Sequence, residues 1–272
     1  MTISAKLVKE LRDKTGVGMM ACKKALIESN GDMEEAVKYL REKGLATAAK
    51  KSTREANEGR MVTAVSDDRT RAVVLELNCE TDFVANNDAF IAFGNLLAGE
   101  ILRGKHIASL DDVQEMKIGT LPLKETLAEL VLKVGENCTV NQLNVINTTG
   151  QLYNYTHMNG KIGVLVEFSS EVDSMLGKDI AMQIAAANPR YILPQDVPAQ
   201  ELKNESEIIK TQALNEGKPE AIIDKLVQGK LNKYYKDVCL MEQAYIKDPK
   251  TSVKQLLPQN VSVKQFFRYT FA

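Results

Sequence analysis

Histidine is scarce. The chain has only His106 and His157, so a metal centre built on imidazole ligands is not expected. Its four cysteines, Cys22, Cys79, Cys138 and Cys239, stand far apart without a C-x-x-C pair. That spacing argues against zinc and dithiol motifs, and leaves free buried thiols in a reducing compartment as the expectation. No apolar run approaches the roughly 18 residues of a membrane-spanning helix. The opening MTISAKLVKELRDKTG lacks the apolar core of a secretion signal and the Arg- and Ser-rich, acid-poor character of an organelle presequence, so a cytoplasmic location is expected. Neither sign of charge dominates: 35 basic side chains face 36 acidic ones, a net charge of −1. That balance argues against a general nucleic-acid binder while leaving local patches open.

The motifs that usually carry catalysis are missing too. TGVGMMA (Thr15–Ala21) contains Gly16 and Gly18, but it follows a helical pattern and lacks the preceding strand and third glycine of a dinucleotide loop. It reads as a turn between helices. There is no G-x-x-x-x-G-K-[ST] cradle for phosphate and no G-x-S-x-G elbow for an acyl-transfer serine. Cys79 and His157 would make a thiol–imidazole pair only if the fold happened to join them. The acidic run Glu80–Asp82 lacks the dense oxygen spacing of a calcium loop. Bond-making chemistry, a resident cofactor and a metal centre are therefore not expected.

Amphipathic patterning is plentiful. The 272 residues, 44% apolar and 26% charged, suit one large domain or two to three smaller ones. Leu7, Val8 and Leu11 have helical spacing and are followed by Gly16. Met19, Cys22, Ala25 and Leu26 repeat the pattern before Gly31. Asp32 and Glu35 form an acidic capping pair for a stripe of Met33, Ala36, Val37 and Leu40, which Gly44 is expected to end. Residues 1–45 thus read as a three-helix module and 46–58 as a polar linker.

Beyond the linker, RMVTAVSDDRTRAVVLEL alternates as a β-hairpin. A helix with Phe90, Phe93, Leu97 and Ile101 on one face follows, capped by Asn87 or Asp88. Another is bracketed by Pro122 and Gly135. Three strand-like runs and a helix ending at Pro189 come next. The order hairpin–strand–helix therefore occurs twice, which predicts an α+β fold with two related core subdomains, 59–137 and 138–272. Within the second, 198–236 reads as a projecting antiparallel helical hairpin with stripes of Ile208, Ala213, Leu214, Ile222 and Leu226. Residues 250–272 read as a short helix and a strand that returns to the second sheet.

The stretch NCETDFVANN (Asn78–Asn87) sits in the first copy of the repeat, directly after AVVLEL, and the second copy has only SSEVDSMLG. Its Glu, Thr, Asp and Asn residues supply turn chemistry. Phe83 does not fit that role. It either folds back on Phe90 or Phe93 as core, or it projects to meet something else.

LRDKTGVGMMACKKAL (Leu11–Leu26) and ELNCETDFVANND (Glu76–Asp88) resemble the elongation factor Ts family closely. The resemblance continues through GKIGVLVEF, IAMQIAAANPRYI, GKPEAIIDKLVQGKLNKYY and FFRYTF, so it spans nearly the whole chain in the family's order. It implies a ubiquitin-associated-like first module, two core subdomains and a coiled-coil hairpin. It also implies a partner, the GTPase elongation factor Tu, on which the factor acts as a guanine-nucleotide exchange factor during translation elongation, with higher-order complexes open. By the same resemblance Thr81, Asp82, Phe83 and Val84 enter the partner's nucleotide domain and disturb the magnesium site that holds GDP. Arg12, Met19, Met20 and Lys23 match positions facing that domain, and His157 matches a histidine near the phosphate-binding loop. The chain departs from the family after Gly135-Glu-Asn, where CTVNQL replaces a segment that often carries paired arginines, and at its short ending RYTFA.

The residues by themselves also admit quieter readings. Of Met19 and Met20, one is expected in the core, because adjacent helix positions point in different directions. Lys23 reads equally as a solvated side chain, His157 as a satisfied polar one, and Cys22 and Cys79 as packing residues.

Overall fold

The runs Ala72–Leu77 and Ile162–Phe168 are apolar almost throughout, and strands of that kind have to be covered on both faces. The computed structural model, which describes residues 3–271, meets this demand with four layers. Helices α1 (Ala5–Thr15), α2 (Met19–Glu28) and α3 (Met33–Lys51) lead into the hairpin β1 (Glu58–Val65) and β2 (Arg71–Cys79). A single helical turn, α4 (Asp82–Ala85), precedes α5 (Asp88–Arg103) and α6 (Leu110–Glu115). The two-residue strands β3 (Lys117–Ile118) and β4 (Leu121–Pro122), helix α7 (Leu123–Val134) and strand β5 (Thr139–Asn147) complete the first half. The second half runs β6 (Gln151–His157), β7 (Ile162–Phe168), α8 (Ser174–Ala187), α9 (Ala199–Asn215), α10 (Glu220–Val238), β8 (Ala244–Tyr245), β9 (Asp248–Ser252) and β10 (Val263–Thr270).

Two antiparallel sheets result, in the orders β1-β2-β5 and β10-β7-β6. On the outer face of the first, Val73, Leu75 and Leu77 pack with Phe90, Leu97 and Ile101 of α5. On its inner face, Met61, Ala72 and Val74 meet Leu152 and Leu165 of the second sheet, together with Phe271. The outer face of that sheet sets Val164, Val166 and Phe168 on Ile180 and Ile184 of α8. The repeat seen in the sequence is thus a shared path: β1-β2-α5-β5 and β6-β7-α8-β10 each place their second strand in the centre. The fold is α+β.

Three details differ from the pattern reading. Helix α3 does not stop at Gly44 but runs on to Lys51. Gly44 is buried where α3 crosses α7, and a Cβ there would lie 3.2 Å from the Ala128 carbonyl oxygen. The glycine serves close helix–helix approach, so the N-terminal helices share a packed boundary with the first sheet's helices. Arg41 also pairs with Glu129 across it at 3.7 Å. Second, β5 pairs with β2 and belongs to the first sheet, so a boundary before residue 138 would cut that sheet. Short turns around Gly150 hide this crossing from sequence patterning. Third, the core of the α9–α10 pair is Ile209, Ala213, Ile223 and Val227, whereas Ile208, Leu214 and Ile222 are exposed. Adjacent isoleucines at 208–209 and 222–223 made the choice of face ambiguous. The expected return of the C-terminal strand holds: β10 pairs with β7.

The α3–α7 crossing yields a test. Gly44→Leu has to push the helices apart and is expected to cost about 1–3 kcal/mol, as overpacking does. Urea unfolding measures it, and an unchanged midpoint would show that the crossing is loose.

Candidate functional site

Three chain segments meet where β2 ends, and carboxylates join them. Glu136, just past the α7 C-cap Gly135 (φ 80°), accepts from the Glu80 and Thr81 backbone N–H groups on Oε2, at 3.1 and 3.0 Å. Its Oε1 accepts from the Thr81 hydroxyl at 2.7 Å. Reciprocally, Glu80 Oε1 accepts from the Asn137 backbone N–H at 2.7 Å, and Arg54 lies 3.4 Å from the same carboxylate. The Asn137 amide donates to the Arg54 carbonyl at 2.8 Å. The Asn137 N–H first, then Arg54, hold the Glu80 carboxyl below its usual range against partial desolvation. This clamp builds the turn that follows. Thr81 Oγ1 also caps α4 by accepting from the Val84 N–H at 3.4 Å.

The turn chemistry read from the sequence takes the form of a helical turn, because Thr81 caps it. In a turn so held, residues diverge by position. Val84 and Ala85 are buried in the first core. Asp82 and Phe83 point outward, and Phe83 is 84% exposed. Phe90 and Phe93 fill the core without it. Leaving a phenylalanine in water forgoes about 1.5–3 kcal/mol of burial, so the fold gains nothing from this side chain.

The far end of α4 is tied to a second feature. Arg60 of β1 donates to the Ala85 carbonyl at 3.0 Å, and burial lowers the pKa of its guanidinium. Arg60 in turn packs under Gly160, where a Cβ would lie only 2.5 Å from the arginine's own Cβ. Gly160 (φ 93°) closes a turn in which Met158 and Asn159 also have positive φ, 50° and 52°. Such a backbone is costly for methionine, yet the Met158 side chain is 63% exposed. His157 enters this turn half-buried, and its Nδ1 lies 3.1 Å from the Tyr155 hydroxyl. The structure thus joins His157 to the Phe83 turn through Arg60. Met158, Arg60 and Glu136 were missed by pattern reading; the adjacent Asn-Gly after His157 was the available signal.

Arg12, Met19, Met20 and Lys23 lie on the N-terminal helices, and all four are exposed. The expectation that one methionine enters the core is not met: Met19 is 40% and Met20 77% exposed, because Cys22, Ala25 and Leu26 already fill the inward face of α2. With Lys23 and exposed Ile27, Met20 forms an outward stripe at helical spacing. Helix α7 connects this module to the clamp. Lys133 lies against Gly16, Ala128 against Gly44, and Lys51 donates to the Gly135 carbonyl.

A reactive centre does not emerge from the titratable groups. All four cysteines are free and buried. Burial, then the Glu136 charge, pushes the Cys79 thiol up to about 12, and its Sγ donates to the Thr81 carbonyl at 3.1 Å. His157 is engaged by Tyr155. Among the described residues no cluster of three or more His, Cys, Asp or Glu could hold a metal ion, and no helix is long and apolar enough to cross a membrane. An open groove of about 540 Å³ between α6, α7 and β5 is lined by Val113, Leu123, Leu127 and Val140, with Glu115 and Lys124 as its charged residues.

The arrangement defines an α+β protein whose candidate site is a set of projecting side chains on a braced frame, not a cleft. The family model described as Elongation factor TS matches residues 80–272. Elongation factor Ts of Clostridium perfringens (strain SM101 / Type A) is 45% identical over 280 residues, covering 98% of this chain and 92% of that protein. Elongation factor Ts of Clostridium novyi (strain NT) is 46% identical over 264 residues, covering 94% and 86%. The chain belongs to the elongation factor Ts family.

Two outcomes check the clamp. Glu136→Gln keeps the shape but removes the charge and one acceptor set, so it is expected to destabilise by about 1–3 kcal/mol and to speed proteolysis at residues 80–87. Equal cleavage of parent and variant would remove the clamp's role. Glu80, whose folded-state pKa is depressed, contributes stability that is complete above the ordinary carboxylate value of about 4.3 and lost as pH falls through its lower folded value. The stability gap between parent and Glu80→Gln should therefore be flat from neutrality to about pH 5 and shrink below about pH 4; a gap that widens on acidification would contradict the sign.

Proposed function

We propose that the chain is a guanine-nucleotide exchange factor for elongation factor Tu, acting in the cytoplasm during translation elongation. The observation that carries this is Phe83, exposed at the head of a turn that three segments hold in place. The N-terminal helices dock first: Arg12, Met19, Met20 and Lys23 offer an apolar and basic face to the GTPase. The α7 frame then presents Thr81–Val84 to its nucleotide domain. Thr81 and Val84 are anchors within that turn, the first clamped by Glu136 and the second buried. Phe83 is the wedge, and His157 with its turn lies on the adjoining surface.

The mechanism is thermodynamic coupling. The factor and GDP each bind the GTPase and lower each other's affinity by the same factor. Magnesium demands near-ideal octahedral oxygens, so small displacements of its surroundings weaken it. Burying Phe83 in the partner supplies about 1.5–3 kcal/mol, and coupling of that size changes affinity by about ten- to a hundredfold. Asp82 either captures donors of the partner or repels its anionic groups. Magnesium and nucleotide belong to the GTPase, and the factor carries no cofactor of its own.

Release of fluorescent GDP from elongation factor Tu tests the assignment. The parent protein should accelerate it, and no acceleration at saturation would refute the reading. Phe83→Ala should slow the stimulated release at least tenfold while leaving thermal stability within about 1 kcal/mol, since little of this side chain is buried in the free protein. A loss of about 3–5 kcal/mol would instead mark a core residue.

A further inference from the structure

Among the described residues, the non-glycine positions with positive φ are Asn30, Arg69, Met158, Asn159 and Asn188. Asparagine enters this region readily because its short side chain bonds locally, whereas other L residues are strained there. Contacts within the chain offset the strain at Arg69. Its guanidinium donates to the Ser174 hydroxyl at 3.1 Å and lies 4.1 Å over the Tyr153 ring. Met158 has no such compensation. Its φ is 50°, its side chain is 63% exposed, and its carbonyl accepts from the Lys161 N–H at 3.1 Å, a bond that any residue could supply. Asparagine or glycine would hold the same turn with less strain. The turn itself is firmly placed. β6 and β7 pair up to its rim, with His157 opposite Ile162. Behind it Gly160 rests on Arg60, whose Nη1 donates to the Ala85 carbonyl at 3.0 Å. One arginine side chain thus spans the distance from this turn to the one that projects Phe83.

We infer, resting on the exchange reading above, that Met158 is a second binding residue for the GTPase, filling an apolar crevice of its nucleotide domain beside the one that takes Phe83. Two observations meet at this residue. An exposed methionine on relaxed backbone would need no explanation, and a strained one with a buried side chain would be a matter of packing. Met158 is strained and exposed together. Strain of this kind persists where the surroundings hold it, and it gathers at binding sites. The pairing of β6 with β7 and the support of Arg60 supply that hold. The side chain suits an irregular apolar surface, because methionine is unbranched, polarizable and free to turn about three bonds. A flexible chain adapts to the surface it meets, whereas a rigid ring displaces it. Met158 therefore adds affinity for the GTPase, and Phe83 acts on the nucleotide. Because Arg60 ties the two turns together, docking at one sets the place of the other.

Two measurements on the full chain test this: urea unfolding of the factor alone, and GDP release from elongation factor Tu as a function of factor concentration. Met158→Asn keeps a residue suited to positive φ and removes the apolar chain. Its urea midpoint should equal or exceed the parent's. Its half-saturating concentration should rise by about tenfold, as expected when one apolar side chain loses its burial. Saturating factor should overcome the loss, since the interaction contributes to binding alone. Met158→Leu, equally strained and similarly apolar, should bind like the parent. Should Met158→Asn fold poorly, Met158→Gly takes its place with the same expectations, because glycine also accepts this backbone. A residue kept for the fold would behave in the opposite way, with a lowered midpoint and an unchanged half-saturating concentration. That result, or unchanged half-saturation in either folded variant, would overturn the proposal while exchange by the parent stands. A parent that does not accelerate release would sink the exchange reading and this proposal with it.

Discussion

One carboxylate decides where the rest of the candidate site can be. Glu136 takes both backbone N–H groups and the hydroxyl that follow β2, leaving the chain no choice but a helical turn capped by Thr81. In that turn Val84 goes inward and Phe83 outward. Without the carboxylate, residues 80–83 would have free donors and a flexible path, and Phe83 could settle on the apolar core beside it. Its exposure is thus a consequence of hydrogen bonding some distance along the chain. The reciprocal bond from Asn137 to Glu80 makes the clamp two-way, so neither segment can leave alone.

Because Glu136 follows α7, whatever holds α7 also holds Phe83. Gly44 lets α3 approach α7 to backbone distance, and the Arg41–Glu129 pair and Lys51 fasten the crossing. The methionines of α2 and the phenylalanine of α4 therefore project from one connected body. On its other side, Arg60 links α4 to the strained turn at Met158. A body of this kind can transmit docking energy from one point to another without first spending it on its own ordering.

How much of this the sequence discloses depends on the range of the interaction. Caps and glycine stops act over three or four residues, and Ser4, Gly16, Asn87 and Gly135 behave as their types suggest. The doubly apolar strands reveal their burial by composition alone. Failures arise where two ends of a contact lie far apart. Gly44 has the signature of a stop, yet its meaning lies at Ala128. β5 looks like the start of the second half because its partner β2 precedes it by about sixty positions, with six helices and strands between. Met19 and Met20 defeated the usual rule, since Cys22, Ala25 and Leu26 had already supplied the inward face. For Phe83 the pattern posed the right question, but Glu136, the residue that answers it, carried no local mark.

The two sheets close at different moments of synthesis. The first is complete once β5 has emerged, and β2 can then be covered by α5 and α7. The second cannot be finished in that order. Its central strand β7 waits for β10, which arrives only after the whole α9–α10 arm and the β8–β9 ladder. Until then one edge of β7, a strand buried along its entire length in the finished protein, stays open, and Phe271 has not yet entered the seam between the sheets. On the ribosome the half that bears Phe83 matures early, while its neighbour passes through a period of exposed apolar edge, the state in which unfinished chains are most prone to aggregate or to attract chaperones.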